Sequence, residues 1–314
     1  MRDLQHRLAA LGFDTSGDAA GAFGDATAAA IRAFQERRGL PPTEACDDVT
    51  WEAVVEASWR LGDRPLYLTA PMVRGDDVAT LQRCLGALGF DAGRVDGIFG
   101  LRTDRALADF QRNVGLVSDA ICGPATVAAL ARLGDWSTSP HSVADIRERE
   151  RFRRGPRTLA GRLVVLAHTG GLDAFATSAA RAIGGAGASV LVVQHPDGSE
   201  QAAQANTAEA DVFLGVGFGD GATCRAAYYA SPTGWESPGG KLLAALVQHT
   251  WAPVLGGDPC GTAPMAVPIL RETRMPAVFV SLGPPERVVE RTAVLAAGLP
   301  GALESWVARF CDGD

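Results

Sequence analysis

The sequence predicts a multidomain protein, in which two small all-α modules of three helices each precede an α/β domain with a mostly parallel sheet covered by helices. Three observations favour this fold class. One motif occurs twice in the first 134 residues, and short apolar runs alternate with helical segments after residue 162. The length of 314 residues suits about two domains of ordinary size. We predict repeat 1 at 1–60, repeat 2 at 75–134, a linker at 135–161 and an α/β domain at 162–314.

The duplicated motif predicts two copies of one helical module. Leu4-Gln5 recurs as Leu81-Gln82, an offset of 77 residues (81 − 4), and Phe34-Gln35 recurs as Phe110-Gln111, an offset of 76 (110 − 34). Repeat 1 therefore contains one extra loop residue. In repeat 2, leucines at i, i+4 and i+7 predict the first helix, and two further helices are predicted at 103–114 and 124–133.

After residue 162, short apolar runs alternate with segments of helical periodicity. Apolar runs that suit buried strands occupy 163–167, 189–193, 212–218 and 277–281, with a further strand expected near 228–229. Helical patterns occupy 178–187, 202–210, 241–251 and 288–310. This alternation is typical of a mainly parallel sheet with helices on both faces.

Composition narrows the possible partners. The formal net charge is −7, and we expect no nucleic-acid partner because phosphates require a basic surface. No apolar run approaches the roughly 18–20 residues of a membrane span. The N-terminus lacks the apolar segment of a secretory signal, so we expect a cytoplasmic protein. None of the six cysteines forms a Cys-x-x-Cys pair, which favours buried thiols over zinc ligands or disulfides.

The predicted linker is rich in arginine. Six arginines between 147 and 157 face three acidic residues. We interpret the segment as a solvated spacer. The alternative is a strip that docks onto an acidic partner.

The motif of repeat 2, read from 81 to 126, resembles the peptidoglycan-binding-like domain. This resemblance implies a three-helix module that takes a peptidoglycan fragment or precursor as its ligand. The residues it assigns to ligand binding are Asp96, Gly97, Phe99 and Gly123. Repeat 1 has Ala20 in place of the turn aspartate, so we expect repeat 2 to be the better binding unit.

Two segments of the α/β domain, 205–214 and 267–280, resemble the zinc-dependent N-acetylmuramoyl-L-alanine amidases. The order of repeats, linker and amidase-like domain is similar to a group of actinobacterial cell-wall regulators. That likeness implies a role in regulating peptidoglycan precursor synthesis. It also implies the enolpyruvyl transferase of the first committed step as a partner.

The amidase resemblance also identifies the positions that would carry zinc chemistry. A catalytic zinc needs three protein ligands and an open position for water, and a nearby carboxylate must move a proton. Aligned on the family pattern, Thr169 and Gly217 stand in the two histidine positions, and Ser281 stands in the catalytic-glutamate position. The segment 172–183 contains no glutamate for the third ligand. We therefore predict a non-catalytic homologue (a pseudoenzyme) with no metal cofactor.

Two alternatives remain open. His168 and His195 each end an apolar run, so the first alternative is a shifted metal site at the carboxyl ends of the strands, with Asp173 or Asp197 as a third ligand. The chain would then be an active zinc amidase that hydrolyses the bond between N-acetylmuramic acid and L-alanine. The glycine-rich run 215–221 resembles a phosphate cradle, although its spacing favours a simple flexible loop.

Overall fold

The computed structural model describes residues 1–133, 150, 152–153, 155–219, 224–232, 234–256 and 262–312. The chain divides into two compact units. One comprises Met1–Ile146 with Ser231–Trp235, and the other comprises Arg147–Ala230 with Glu236–Asp314. No helix in these described stretches is long and apolar enough to cross a membrane.

The N-terminal unit contains the two predicted three-helix modules. Repeat 1 is built from α1 (Arg2–Ala10), α2 (Asp25–Arg38) and α3 (Asp48–Ala57). Repeat 2 is built from α4 (Asp76–Ala87), α5 (Leu101–Asn113) and α6 (Pro124–Arg132). The duplication seen in the sequence is thus a duplication of structure.

Local sequence explains where these helices begin and end. Asp47 precedes α3 and accepts a hydrogen bond from the Thr50 amide, which satisfies one free N–H of the first turn. Gly39 ends α2 with a left-handed backbone (φ 64°) that a side chain would disfavour. In repeat 2, the inward leucines of α4 surround Phe99 and Phe110, and both phenylalanine side chains are fully buried. This single small core holds the module together.

The second unit is an α/β domain with a six-stranded sheet. Its strands are β1 (Leu163–His168), β2 (Ser189–Gln194), β3 (Val212–Phe218), β4 (Cys224–Tyr229), β5 (Ala263–Met265) and β6 (Ala277–Leu282). Its helices are α7 (Asp173–Gly185), α8 (Gly198–Thr207), α9 (Pro238–Leu255), α10 (Pro268–Arg271) and α11 (Pro285–Asp312). The predicted alternation of strands and helices is confirmed. The short elements β5 and α10 were not predicted, because four or fewer residues carry no readable period.

The sheet order is β2-β1-β3-β6-β4-β5. Strands β2, β1, β3 and β6 run parallel, while β4 runs antiparallel to β6 and parallel to β5. Helices α7, α9 and α11 cover the face that carries Leu166, Leu214 and Val280. Helices α8 and α10 pack on the opposite face, where Ile269 approaches Gly215. Burial on both faces explains why the strands read as unbroken apolar runs.

The described end of the predicted linker belongs to the α/β unit. Phe152 is 5% exposed, and its ring packs edge-to-face against Trp306 with the centroids 4.7 Å apart. The Arg162 guanidinium lies 3.6 Å from the centroid of the Phe152 ring, and Leu159 is also buried. The predicted spacer therefore does not extend to residue 161, because an aromatic anchor within it completes the core. Residues 134–149, 151 and 154 of the predicted linker lie outside the described residues.

The alternative interpretation of this segment is a strip that docks onto an acidic partner, and the contacts of Arg153 bear on it. Arg153 donates a hydrogen bond of 3.0 Å to the carbonyl oxygen of Cys311, at the end of α11. A cation near the carboxyl end of a helix is favoured by the helix dipole. Arg153 thus helps to hold the segment against its own domain.

Candidate functional site

The three positions that would carry zinc chemistry meet at one edge of the sheet. Gly217 on β3 lies in register with Ser281 on β6. Thr169 follows directly after His168, which lies in register with Val216 on β3. Because β1, β3 and β6 are parallel, their carboxyl ends share this edge, where open α/β sheets bind ligands. Thr169 is exposed and Ser281 is half-buried.

A phenylalanine ring occupies the space where a side chain at position 217 would lie. A Cβ atom built on Gly217 would stand 2.9 Å from Cζ of Phe279, and one built on Gly215 would stand 2.9 Å from Cδ2 of the same ring. Such distances are shorter than real Cβ contacts, so the Phe279 ring covers both glycines. Gly217 lies within an ordinary strand, so the reason for glycine here is steric, not backbone freedom.

These residues do not fit a hydrolytic zinc. Zinc is held by imidazole nitrogen, thiolate sulfur or carboxylate oxygen. Thr169 and Ser281 each supply a neutral hydroxyl group, and Gly217 supplies no side chain. The aromatic ring of Phe279 lies beside Gly217. Neither hydroxyl is a proton shuttle of suitable pKa for activating water. Among the described residues, no group of three or more His, Cys, Asp or Glu side chains is arranged to hold a metal ion.

The two histidines of the alternative metal site lie beside each other at the ends of β1 and β2, where the His195 amide donates a hydrogen bond of 3.2 Å to the His168 carbonyl. His168 lies in register with Gln194, so His195 is one residue beyond the paired position. The His168 side chain is 2% exposed, and its Nδ1 has no hydrogen-bond partner among the residues that the structure describes. Nδ1 of the partly exposed His195 accepts a hydrogen bond of 3.0 Å from the Asp197 amide.

The two carboxylates suggested as further ligands have separate surroundings. Asp197 accepts a hydrogen bond from the Ser199 amide and caps α8. Asp173 is an exposed residue in the first turn of α7. A metal site built from His168, His195 and one of these aspartates stays a prediction.

The turn after β1 is closed by an aromatic side chain. Gly170 and Gly171 both have left-handed backbones (φ 127° and 72°), which glycine adopts without steric cost. A Cβ atom on Gly171 would stand 3.1 Å from Cε2 of Phe218. Phe218 is 41% exposed, so this edge offers a mixed apolar and hydroxyl-bearing surface. The glycine-rich run continues to 221, but positions 220–223 lie outside the described residues.

In repeat 2, the residues assigned to ligand binding have structural contacts. The Gln82 side chain lies inside the Asp96-Gly97 turn. Its Nε2 donates to Oδ1 of Asp96 at 2.8 Å, and its Oε1 accepts from the Gly97 amide at 2.9 Å. Phe99 is fully buried in the core, and Gly123 caps α6. A role for these four residues in ligand contact stays a prediction, and it would be limited to the rim of the turn.

Repeat 1 keeps the same turn without its aspartate. Oε1 of Gln5 accepts from the Gly21 amide at 2.7 Å, as Gln82 does from Gly97. Asp18 instead accepts hydrogen bonds from the Gly24 and Thr27 amides at the start of α2. Contacts other than those of a turn aspartate therefore hold this turn in repeat 1.

Sequence reasoning missed the glutamines that hold the turns of the two repeats and the phenylalanine that packs over Gly217. The glutamine after each inward leucine or phenylalanine was visible in the duplicated motif, and its recurrence was the available signal. Phe279 carried no such signal, because one phenylalanine in an apolar strand is ordinary. Its position over Gly217 depends on the pairing of two strands that are distant in sequence.

Comparison with known proteins identifies both parts of the chain. Residues 1–54 and 74–130 match the family described as "Putative peptidoglycan binding domain". The chain is 35% identical over 288 residues to N-acetylmuramoyl-L-alanine amidase CwlM of Mycobacterium tuberculosis, covering 81% of this chain and 70% of that protein. It is 32% identical over 149 residues to a protein of Bacillus licheniformis named "Probable N-acetylmuramoyl-L-alanine amidase", covering 42% of each.

Solved structures of amidases resemble the chain more distantly. The crystal structure of the N-acetylmuramyl-L-alanine amidase Ami1 from Mycobacterium smegmatis covers 47% of this chain and 99% of its own, with 17% identity and a TM-score of 0.39. The sequence relationship to CwlM is the one that decides membership. The chain thus belongs to the family of CwlM-type N-acetylmuramoyl-L-alanine amidase homologues, with a duplicated peptidoglycan-binding module ahead of an amidase-like domain.

Proposed function

We propose that this protein is a non-catalytic amidase homologue that binds a peptidoglycan-related ligand or a partner protein and regulates the synthesis of cell-wall precursors. The observation that carries the proposal is the Phe279 ring over Gly217, beside Ser281. An imidazole at position 217 and this ring would need the same space. On this proposal, the packing of the sheet opposes a zinc site at this edge in addition to the change of three side chains.

Binding without hydrolysis follows from the groups that remain. The hydroxyl groups of Thr169 and Ser281 can donate and accept hydrogen bonds, and Phe218 offers apolar surface. Such a surface suits a sugar or an amide. Thr169, Gly217 and Ser281 provide no metal ligand and no carboxylate, so none of them lowers the pKa of a water molecule or takes its proton. A muropeptide held here would leave unchanged.

The proposed biological setting is the cytoplasm, where soluble precursors of peptidoglycan are made. The enolpyruvyl transferase of the first committed step is the proposed protein partner. Support for a peptidoglycan-related ligand comes from the match of both repeats to the peptidoglycan-binding family. A direct binding measurement between purified chain and transferase tests the partner.

The second candidate is an active zinc amidase, which the name of the Mycobacterium tuberculosis relative favours. One experiment separates the two. The purified full-length chain is incubated with one equivalent of zinc and a muropeptide, and both bound zinc and muramoyl–alanine cleavage are measured. We expect neither stoichiometric zinc nor cleavage. About one zinc per chain, lost in both His168→Ala and His195→Ala and accompanied by cleavage, would establish the amidase instead.

A further inference from the structure

An arginine joins the row of side chains that crosses the sheet at the carboxyl ends of β3 and β6. Gly217 on β3 lies in register with Ser281 on β6, and Ser281 lies in register with Arg225 on β4. Because β4 runs antiparallel to β6, Arg225 reaches this edge from the beginning of its strand. Residues in register on neighbouring strands share a face of the sheet, with Cβ atoms about 5 Å apart. The Arg225 and Ser281 side chains therefore leave the same face side by side.

This outer row borders solvent, whereas the row next to it is covered. The inner row, two residues away along each strand, consists of Gly215, Phe279 and Ala227. A Cβ atom on Gly215 would stand 3.3 Å from Cδ1 of Ile269, so α10 lies over the inner row. In the outer row, Ser281 is half-buried and Arg225 is exposed. The polar groups of the outer row are thus accessible to a ligand.

The guanidinium of Arg225 supplies positive charge to this row. Within the stretches of chain that the structure describes, no hydrogen bond or ion pair joins Arg225 to another side chain. Arginine is permanently charged, and its planar fork of N–H donors matches two oxygens of one carboxylate or phosphate. A neighbouring serine hydroxyl donates a further hydrogen bond to such an anion. The pair of Arg225 and Ser281 therefore has the chemistry of an anion-binding site.

The carboxylates that follow the strands at this edge are compensated locally. These exposed acidic residues begin the helices after β1, β2 and β6, and they are Asp173, Asp197, Glu200 and Glu286. A carboxylate at the start of a helix is stabilised by the positive end of the helix dipole. Asp197 also accepts a hydrogen bond of 2.8 Å from the Ser199 amide. Arg225 lies in a strand, which has no comparable dipole, so its charge can act on a ligand.

The surface between Arg225 and Thr169 sets the length of the ligand. These two residues lie on strands separated by β3 and β6, which is about 14 Å at the usual spacing between strands. The half-buried Phe279 ring over Gly217 lies between them. A sugar that carries two or three amino-acid residues, each about 3.5 Å long, spans this distance.

We propose that this edge recognises an anionic group of its ligand, a carboxylate or a phosphate, through the Arg225 guanidinium and the Ser281 hydroxyl. The inference rests on the proposed function, because it assigns chemistry to the surface on which a peptidoglycan-related ligand is proposed to bind. The rest of the ligand crosses Phe279 toward Thr169. A peptide carboxylate and the diphosphate of a nucleotide-linked sugar present the same kind of oxygen acceptor, and both are sources of this group.

The test compares ligands with and without the charge, titrated into the full-length chain by calorimetry without added metal. The probes are N-acetylmuramoyl-L-alanine, its C-terminal amide, and uridine diphosphate N-acetylglucosamine. We expect at least one of the two anionic probes to bind, and the neutral amide to bind at least about tenfold more weakly than the anionic probe that binds best.

Variants then locate the anion. Arg225→Gln should weaken binding of the anionic probe at least about tenfold, because it removes a charge-assisted pair of hydrogen bonds. Arg225→Lys keeps the charge and should lose less, and Ser281→Ala should weaken binding several-fold. The matched control is Arg309→Gln, which changes an exposed arginine in the last turn of α11 and should leave the Kd unchanged.

The two sources and the two levels of the hypothesis give different results. Dependence on Arg225 for the muramoyl probe identifies a peptide carboxylate, and dependence for the nucleotide sugar identifies a diphosphate. Unchanged affinity in Arg225→Gln for every probe that binds, or no binding of any probe up to about 10 mM, would overturn the anion site. Release of free alanine from the muramoyl probe would instead contradict the non-catalytic function, and the effect of Arg225→Gln on affinity would still decide the anion site.

Discussion

The guanidinium of Arg38 in repeat 1 donates two parallel hydrogen bonds to the carboxylate of Asp76 in repeat 2, each 2.8 Å long. Arg38 lies in the last turn of α2 and Asp76 in the first turn of α4, so each charge also complements its helix dipole. Their side chains are 9% and 29% exposed. This bidentate pair joins the two repeats into one unit.

Breaking that pair should destabilise the N-terminal unit. Arg38→Ala leaves the Asp76 carboxylate without its partner, and we expect the free energy of unfolding to fall by about 1–3 kcal/mol. Urea denaturation of the full chain measures this change. The control is Arg112→Ala, whose pair with Asp109 is 67% and 56% exposed and should contribute less than about 1 kcal/mol. Equal losses in the two variants would show that Arg38 is only a surface charge.

The glutamine inside each turn should matter more than the turn aspartate. Gln82→Ala removes hydrogen bonds to Asp96, Ile98 and Thr103 and leaves the buried Gly97 amide without its acceptor. We expect a loss of about 2–3 kcal/mol in unfolding free energy. Asp96→Ala should cost less, because repeat 1 forms the same turn with alanine at that position. A larger loss for Asp96→Ala would contradict this order.

A histidine at position 217 should destabilise the fold because the Phe279 ring occupies the space that it needs. Gly217→His forces the Phe279 ring to move, and we expect a loss of about 1–3 kcal/mol. Phe279→Ala leaves a void and costs stability by itself. The double variant should lose less than the sum of the two, because the imidazole then occupies the vacated space. Thermal unfolding of the four proteins completes the cycle, and additive losses would disprove the steric conflict.

A glycine with open surroundings provides the matched control for that cycle. A Cβ atom on Gly184, in α7, meets nothing within 4 Å. Gly184→Ala should therefore be neutral or stabilising by up to about 1 kcal/mol. A large loss of stability in Gly184→Ala would mean that any side chain added to a glycine of this domain is destabilising. The loss in Gly217→His could then not be assigned to the Phe279 ring.

Two buried thiols in repeat 2 should make the free energy of unfolding depend on pH in the alkaline range. Burial raises the pKa of Cys84 to about 11 and that of Cys122 to about 12. Above pH 9 the unfolded thiols ionise while the folded ones stay protonated, so the unfolding free energy should fall as pH rises toward 11–12. The stabilising contribution is fully present below pH 9. Denaturation at pH 8 and pH 10.5 measures the decline, which should be shallower in Cys84→Ala.

The same burial predicts slow thiol chemistry. At pH 8, the folded chain should react with a disulfide reagent at Cys46 before Cys84 or Cys122, because the thiolate is the reacting species and Cys46 is more exposed. Labelling followed by peptide mass analysis gives the order. Rapid labelling of Cys122 in the folded chain would contradict the pKa assignment.

Much of the architecture follows from local patterns. The duplication, the two three-helix modules and the parallel strands were all predicted, because helical spacing and apolar runs are properties of neighbouring residues. That Thr169, Gly217 and Ser281 lie near one edge of the sheet emerged only from the register of β1, β3 and β6. The antiparallel direction of β4 could not be predicted, because the strand pattern is the same for both directions.

The sequence by itself determined that a helical duplication precedes an α/β domain, and its resemblance to the amidases led to the prediction that Thr169, Gly217 and Ser281 replace the residues of the zinc site. Only the tertiary structure decided that Phe152 completes the core of the α/β unit and that Phe279 fills the space at Gly217. It also decided that the Phe23 side chain is exposed to solvent whereas Phe99 is buried. The physical reason is the same in each case. Whether a side chain is buried depends on residues that are distant along the chain and adjacent in space. The local periodicity of the sequence does not specify which of these residues come into contact.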